Sequence, residues 1–184
     1  MATRAKLLDI AAALVARDGY RALRVEEIVA SAGVAKGTFF AHFADKDTLV
    51  EQLVGADIGR ILDVMETKAP PEGIEQLVDL LMPRIDFMME DRSIFDLIIR
   101  RSCMAFDGEP GPVAALFGRQ IAILAPLLAK GPFRRDVDPG LLAEGVQALE
   151  TQAMVYTFCQ PDTDLTVRAR LALYLDAWLL PEPR

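Results

Sequence analysis

Apolar residues recur at helical spacing along almost the whole chain, and nowhere does the pattern alternate with the period of two that a half-buried strand needs. Leu7, Ile10, Ala11, Leu14 and Val15 make one stripe, and Gly19 follows it as a stop. A second helix is predicted over Val25–Ala32, closed by Gly33, and a third over Ala35–Phe43. Asp45 is placed to cap a fourth, whose stripe runs from Val50 through Leu53, Ile58 and Leu62 to about Lys68. The break at Lys68–Gly73 precedes a fifth helix, Ile74–Met88, with Pro83 inside it. Ser93–Phe106 and Val113–Ala129 follow, then a loop over Gly131–Gly140 and two last helices carrying Leu142–Ala153 and Leu171–Leu179. This pattern predicts an all-α fold of about nine helices.

Composition narrows the function classes. A chain that is 52% hydrophobic and 26% charged is globular rather than disordered. No apolar run is expected to reach the ~20 residues of a membrane span. Asp9, Arg17 and Asp18 interrupt any signal-like apolar region, so a cytoplasmic protein with no membrane partner is expected. Cys103 and Cys159 lie far apart in apolar patterns and read as core thiols. One histidine, no nucleophile–base–orienter set and no metal-ligand spacing argue for neither an enzyme nor a metal or cofactor site.

Net charge is −7, which speaks against a nucleic-acid partner until its distribution is considered. Residues 1–54 carry seven basic and seven acidic side chains, so the whole acid excess lies in 55–184. From Ile28 to Ala44 there is no carboxylate at all. The same window holds two short helices joined at Ala32-Gly33-Val34, the spacing of a helix-turn-helix. In such a unit the second helix enters the major groove, here presenting Ala35, Lys36, Gly37 and Thr38. Lys36 can donate to guanine O6/N7 or to phosphate. Gly37 costs about 1 kcal/mol of helix propensity relative to Ala, a sacrifice consistent with close approach of the backbone to DNA. Phe39 and Phe43 should anchor the short helix from below.

The stretches TRAKLLDIAAALVARDGY and VEEIVASAGVAKGTFFAHFADKDTLVEQLV resemble the DNA-binding domain of the TetR family of transcriptional regulators, over residues 3–54. The resemblance implies base or phosphate contact for Lys36 and Thr38, phosphate contact for His42, and a DNA-side role for Lys46 at the start of the fourth helix. It departs from the family at Phe40, where most relatives have a tyrosine whose hydroxyl reaches phosphate. It departs again at Arg24, where they tend to have a capping threonine. Ala35, Gly37, Phe40 and Arg24 complete the expected DNA-facing set.

The resemblance further implies a division into a helix-turn-helix domain over 1–48 and a ligand-binding and dimerisation domain over 49–184. A homodimer would present two recognition helices to a palindromic operator of double-stranded DNA, with a small, largely apolar effector modulating binding, as in a repressor. Candidate pocket residues are Phe87, Met88, Phe95, Met104, Phe117, Met154, Tyr156 and Phe158, with Arg100, Glu150 and Gln152 as possible polar anchors. Candidate dimer residues are Leu142, Val146, Leu149, Ala153, Leu171, Leu175 and Trp178, although these faces would serve equally as an intramolecular core. Small residues such as Gly145 on the eighth helix permit close helix approach. The alternative reading is a helical protein-interaction adaptor whose DNA-binding head has degenerated.

Overall fold

A computed structural model describes residues 2–102, 111–160 and 164–180, together with the backbone of 105–106 and 109–110. Among the described residues there are nine α-helices: α1 Ala2–Asp18, α2 Val25–Ala32, α3 Lys36–Phe40, α4 Lys46–Glu66, α5 Ile74–Met89, α6 Arg92–Ser102, α7 Pro112–Lys130, α8 Pro139–Cys159 and α9 Val167–Leu179. A short 3-10 turn, Tyr20–Ala22, follows α1. Among the described residues the one pairing of strands is between two-residue segments, β1 Ala105–Phe106 with β2 Glu109–Pro110, in antiparallel register. It falls where the sixth helix was expected to continue; α6 ends instead at Ser102.

The chain forms two compact units, one from Met1–Asp57 and Asp91–Ala114, the other from Ile58–Glu90 and Ala115–Arg184. In the first, α1 packs on α2 and α2 on α3, and α6 meets the 3-10 turn. Leu7, Ala11, Ile28, Phe39, Phe43 and Leu49 are fully buried there. Asp45 caps the start of α4 as expected, accepting from the backbone N–H of Thr48 at 2.6 Å and from its hydroxyl at 2.7 Å. Arg100 and Arg101 at the end of α6 reach three carboxylates of this region, Asp47 at 3.3 Å, Asp45 at 3.7 Å and Glu51 at 3.5 Å. Burial pushes the Glu51 carboxyl above its ordinary pKa, against the pull of the Arg101 guanidinium.

In the second unit, α8 packs on α9, and both meet α5. Asp138 accepts from the N–H groups of Gly140 (2.8 Å) and Leu141 (3.3 Å), and Pro139 sits in the first turn. Thr166 caps α9 through Ala169 N–H at 3.1 Å. Contrary to the sequence expectation, α7 is long and apolar enough to cross a membrane by length and composition alone, with mean hydropathy 1.6 over its window. Two polar residues at its centre are already engaged within the unit. Arg119 pairs with Asp63 (2.7 Å) and Glu66 (2.8 Å), and Gln120 is fully buried against Glu150.

Candidate nucleic-acid interface

The turn between α2 and α3 explains why two helices this short hold a fixed angle. Gly33 takes the left-handed conformation, φ 66°, which costs a glycine little. Its N–H donates to Ala30 O at 3.1 Å and that of Val34 to Val29 O at 3.0 Å. This doubly bonded stop satisfies carbonyls that α2 would otherwise leave open. Below α3, Phe39 and Phe43 are buried with ring centroids 5.4 Å apart, and the guanidinium of Arg4 lies 5.0 Å from the Phe43 ring. Lys6 donates to Ala32 O at 2.8 Å, tying α1 to the end of α2.

The regular part of α3 is shorter than expected, ending at Phe40 rather than Phe43. The N–H groups of His42 and Phe43 both donate to Phe39 O at 2.9 Å, so the chain tightens into a final turn there.

The predicted DNA-facing residues are mostly outward. Ala35, Lys36, Gly37 and Arg24 are exposed, Thr38, His42 and Lys46 are half-buried, and Phe40 is 47% exposed while its ring stands edge-on to Phe39 at 5.3 Å. A Cβ built on Gly37 would meet nothing of this chain within 4 Å, so its missing side chain leaves room for something outside it. Arg24 occupies the N-cap of α2 in extended conformation (φ −127°, ψ 138°), with no side-chain cap bond. Lys46 is not simply solvated: its ammonium donates to Leu23 O at 3.3 Å and so pins the strand-like entry to α2, next to Arg24.

One partner escaped sequence reasoning. The acid-free window of 28–44 is not acid-free in space, because Glu26 in the first turn of α2 accepts from Lys36 at 2.6 Å. The Lys36 ammonium holds the Glu26 carboxyl below its ordinary range, so the acid is ionised at neutral pH. The folding back of α2 on α3 creates this pair, and a count of charges along the chain misses it.

The predicted pocket residues are dispersed. Met88 and Met154 are fully buried and Phe87, Phe117 and Phe158 are half-buried, but Tyr156 is 38% exposed, its ring 4.0 Å from the Arg170 guanidinium. Phe95 is buried in the first unit rather than the second. Met104 lies outside the described residues, as does Cys103. Cys159 is exposed at the end of α8, not a core thiol.

What the second unit does bury is a polar cluster. The Glu150 carboxylate accepts from Arg84 and from Gln120, each at 2.7 Å, on one oxygen. Gln147 donates to Gln120 Oε1 at 3.0 Å and to Phe117 O at 2.9 Å. Arg84 also faces Met88 Sδ at 3.5 Å and the Phe117 ring at 5.6 Å. Met88 and Phe117 thus meet at Arg84, and of the three expected polar anchors only Glu150 is interior. Arg100 and Gln152 are exposed.

The candidate dimer residues are largely consumed within the chain. Leu142, Val146, Ala153, Leu171 and Leu175 are buried where α8, α9 and α5 pack together, and Leu149 and Trp178 are half-buried. The large apolar side chains these two helices leave outside are Leu141, 51% exposed, Leu173, 59% exposed, and Tyr156. Leu173 also lines a groove of about 730 Å³ with Ile74, Ala169, Ala172 and Asp176.

A fixed short-helix pair with an outward, glycine-bearing second helix is the architecture of a helix-turn-helix. Residues 7–53 match the model of the bacterial regulatory proteins of the tetR family, so this segment is similar to the DNA-binding module of that family. The chain is 35% identical over 83 residues to the HTH-type transcriptional repressor KstR2 of Mycobacterium tuberculosis, covering 43% of this chain. The match thus spans only 40% of that relative's length. A 31% identical match over 61 residues links it to the fatty acid metabolism regulator protein of Bacillus subtilis, covering 33% of this chain and 31% of that one. Among solved structures it is similar to Thermus thermophilus FadR, a TetR family repressor in complex with lauroyl-CoA, with TM-score 0.63 and 17% identity over 98% of this chain and 97% of that one. SmeT, repressor of the Stenotrophomonas maltophilia efflux pump SmeDEF, gives TM-score 0.60 and 18% identity over 98% and 96%. These likenesses establish the all-helical fold with an N-terminal helix-turn-helix.

Proposed function

We propose that this chain is a dimeric, cytoplasmic DNA-binding transcriptional regulator, a repressor, whose operator binding is modulated by a small, largely apolar ligand. Residues 1–48 act as its DNA-binding domain and 49–184 as its ligand-binding and dimerisation domain. The observation that carries the reading is the outward face of α3, where Ala35, Lys36, Gly37 and Phe40 stand exposed on a helix anchored by two buried phenylalanines. Buried Met88 and Met154 support an adaptable apolar interior for the ligand. A second copy would meet the exposed side of α8 and α9, through Leu141 and Leu173, rather than the residues those helices bury against each other.

The test is fluorescence anisotropy with duplex DNA from the chain's own upstream intergenic region and with random duplex. Binding to the former should be tighter, and should weaken steeply with salt, by about 0.9 in log K per log salt for each phosphate neutralised. Equal, weak binding to both duplexes sinks the proposal. Phe40→Tyr should tighten binding to the upstream DNA by roughly 5–10-fold, since an exposed ring gains a hydroxyl that can donate to phosphate. Unchanged or weaker binding would mean that this ring does not face the backbone.

A further inference from the structure

Between Ile28 and Ala44, Lys36 is the sole side chain among Lys, Arg, Asp and Glu. Its ion pair with Glu26 therefore neutralises the only permanent charge of the recognition segment. Both partners are largely exposed, 56% for Lys36 and 68% for Glu26. A pair so well solvated contributes little to stability, so it does not exist to hold the fold together. The adjacent acid turns the other way: Glu27 accepts from Arg17 of α1 at 2.6 Å, in another solvent-exposed pair. The two carboxylates of the first turn of α2 thus have different partners, one on α1 and one on α3.

We propose that Glu26 is a specificity-determining residue: it occupies Lys36 in the free protein, so that DNA must displace a carboxylate to obtain the ammonium. A random duplex offers Lys36 a phosphate in exchange for Glu26 and also brings that carboxylate close to the polyanion, so the exchange gains little. An operator that offers a guanine edge gives Lys36 a base acceptor in the groove, where the O6/N7 pair receives a lysine well. Glu26 in this way lowers non-specific affinity more than specific affinity, and widens the ratio that matters among many competing sites. The inference rests on the DNA-binding function proposed above.

Glu26→Gln tests it, because the amide keeps the shape and removes the charge at an exposed position where the melting temperature serves as a folding control. Anisotropy is measured with the upstream intergenic duplex and with random duplex across a salt series. The variant should bind random duplex about 3–10-fold tighter with a salt slope steeper by about one unit, as one more cation is committed to phosphate. Affinity for the upstream duplex should rise less, so the specificity ratio falls. In a Lys36→Gln background the same change should lose most of its effect. Unchanged random-duplex affinity, an equal gain on both duplexes, or a gain that survives intact without Lys36 each overturns the role given to Glu26. Wild-type protein that discriminates between the duplexes while Glu26→Gln matches it overturns this inference alone. Wild-type protein that does not discriminate overturns the DNA-binding reading with it.

Discussion

Replacing Arg84 by methionine should cost about 3–5 kcal/mol of stability, because it leaves the carboxylate of Glu150 charged and uncompensated in the interior. Both side chains are essentially inaccessible, at 2% and 0%. Gln120 alone cannot neutralise the acid, which it contacts on the same oxygen as Arg84, while Oε1 of Glu150 and Nε of Arg84 have no hydrogen-bond partner. For a chain of this size the loss corresponds to a fall in melting temperature of roughly 6–20 °C. Adding Glu150→Gln should recover most of it, since the amide oxygen still accepts from Gln120 and no charge remains buried. A double variant as unstable as the single one would show that packing around Arg84, not its charge, carries the effect.

The same cluster sets a pH dependence whose sign is fixed. Burial raises the Glu150 carboxyl above its ordinary pKa, while Arg84 and Gln120 pull it down. Arg84→Met removes the strongest downward influence, so the folded-state value rises further. A group whose folded pKa exceeds its unfolded value contributes proton-linked stability that is complete below the unfolded value and is lost as pH rises through the folded one. The deficit of Arg84→Met should therefore shrink on going from pH 8 toward pH 5. A deficit constant over that range, in parallel thermal melts, would contradict the assignment of the loss to a buried charge.

How much of this was legible in the sequence depends on the range of the interaction. Helix positions follow from local punctuation: Val25–Ala32 and its Gly33 stop coincide with the structure, as does Asp45 before α4, because caps and periodicity act within a few residues. The end of α3 was misjudged by three residues because the final turn rests on two N–H groups sharing the Phe39 carbonyl, which apolar spacing does not register. At the candidate interface the exposed residues were foreseeable from the motif, but the pairing of Lys36 with Glu26 was not. It joins side chains ten positions apart through the angle between two helices. For α8 and α9 periodicity marks an apolar face without naming what covers it. Leu142, Val146 and Leu171 are covered by the chain itself, and the apolar surface these helices leave exposed lies around Leu141 and Leu173 instead.

Gly145 offers the sharpest test of that internal packing. Glycine to alanine inside a helix normally gains about 1 kcal/mol, and on propensity alone Gly145→Ala should stabilise α8. The structure reverses the sign. A Cβ on Gly145 would lie 2.6 Å from Trp178 Cζ2 and closer still to Cε2 and Nε1, the middle of a rigid indole rather than a movable tip. Trp178 Nε1 also donates to Leu142 O at 3.2 Å, so displacing the ring strains a hydrogen bond as well as a contact. Overpacking typically costs 1–3 kcal/mol and loss of the bond about 1 kcal/mol more, so the net change should be a loss of about 1–3 kcal/mol. In a Trp178→Leu background the obstruction is gone, and Gly145→Ala should then raise stability by up to about 1 kcal/mol. Chemical denaturation of the four proteins gives the double-mutant cycle directly. A change of the same sign in both backgrounds would mean that the close approach of α8 to α9 at this glycine does not limit the fold, and that another contact sets the spacing on which any partner surface of these helices depends.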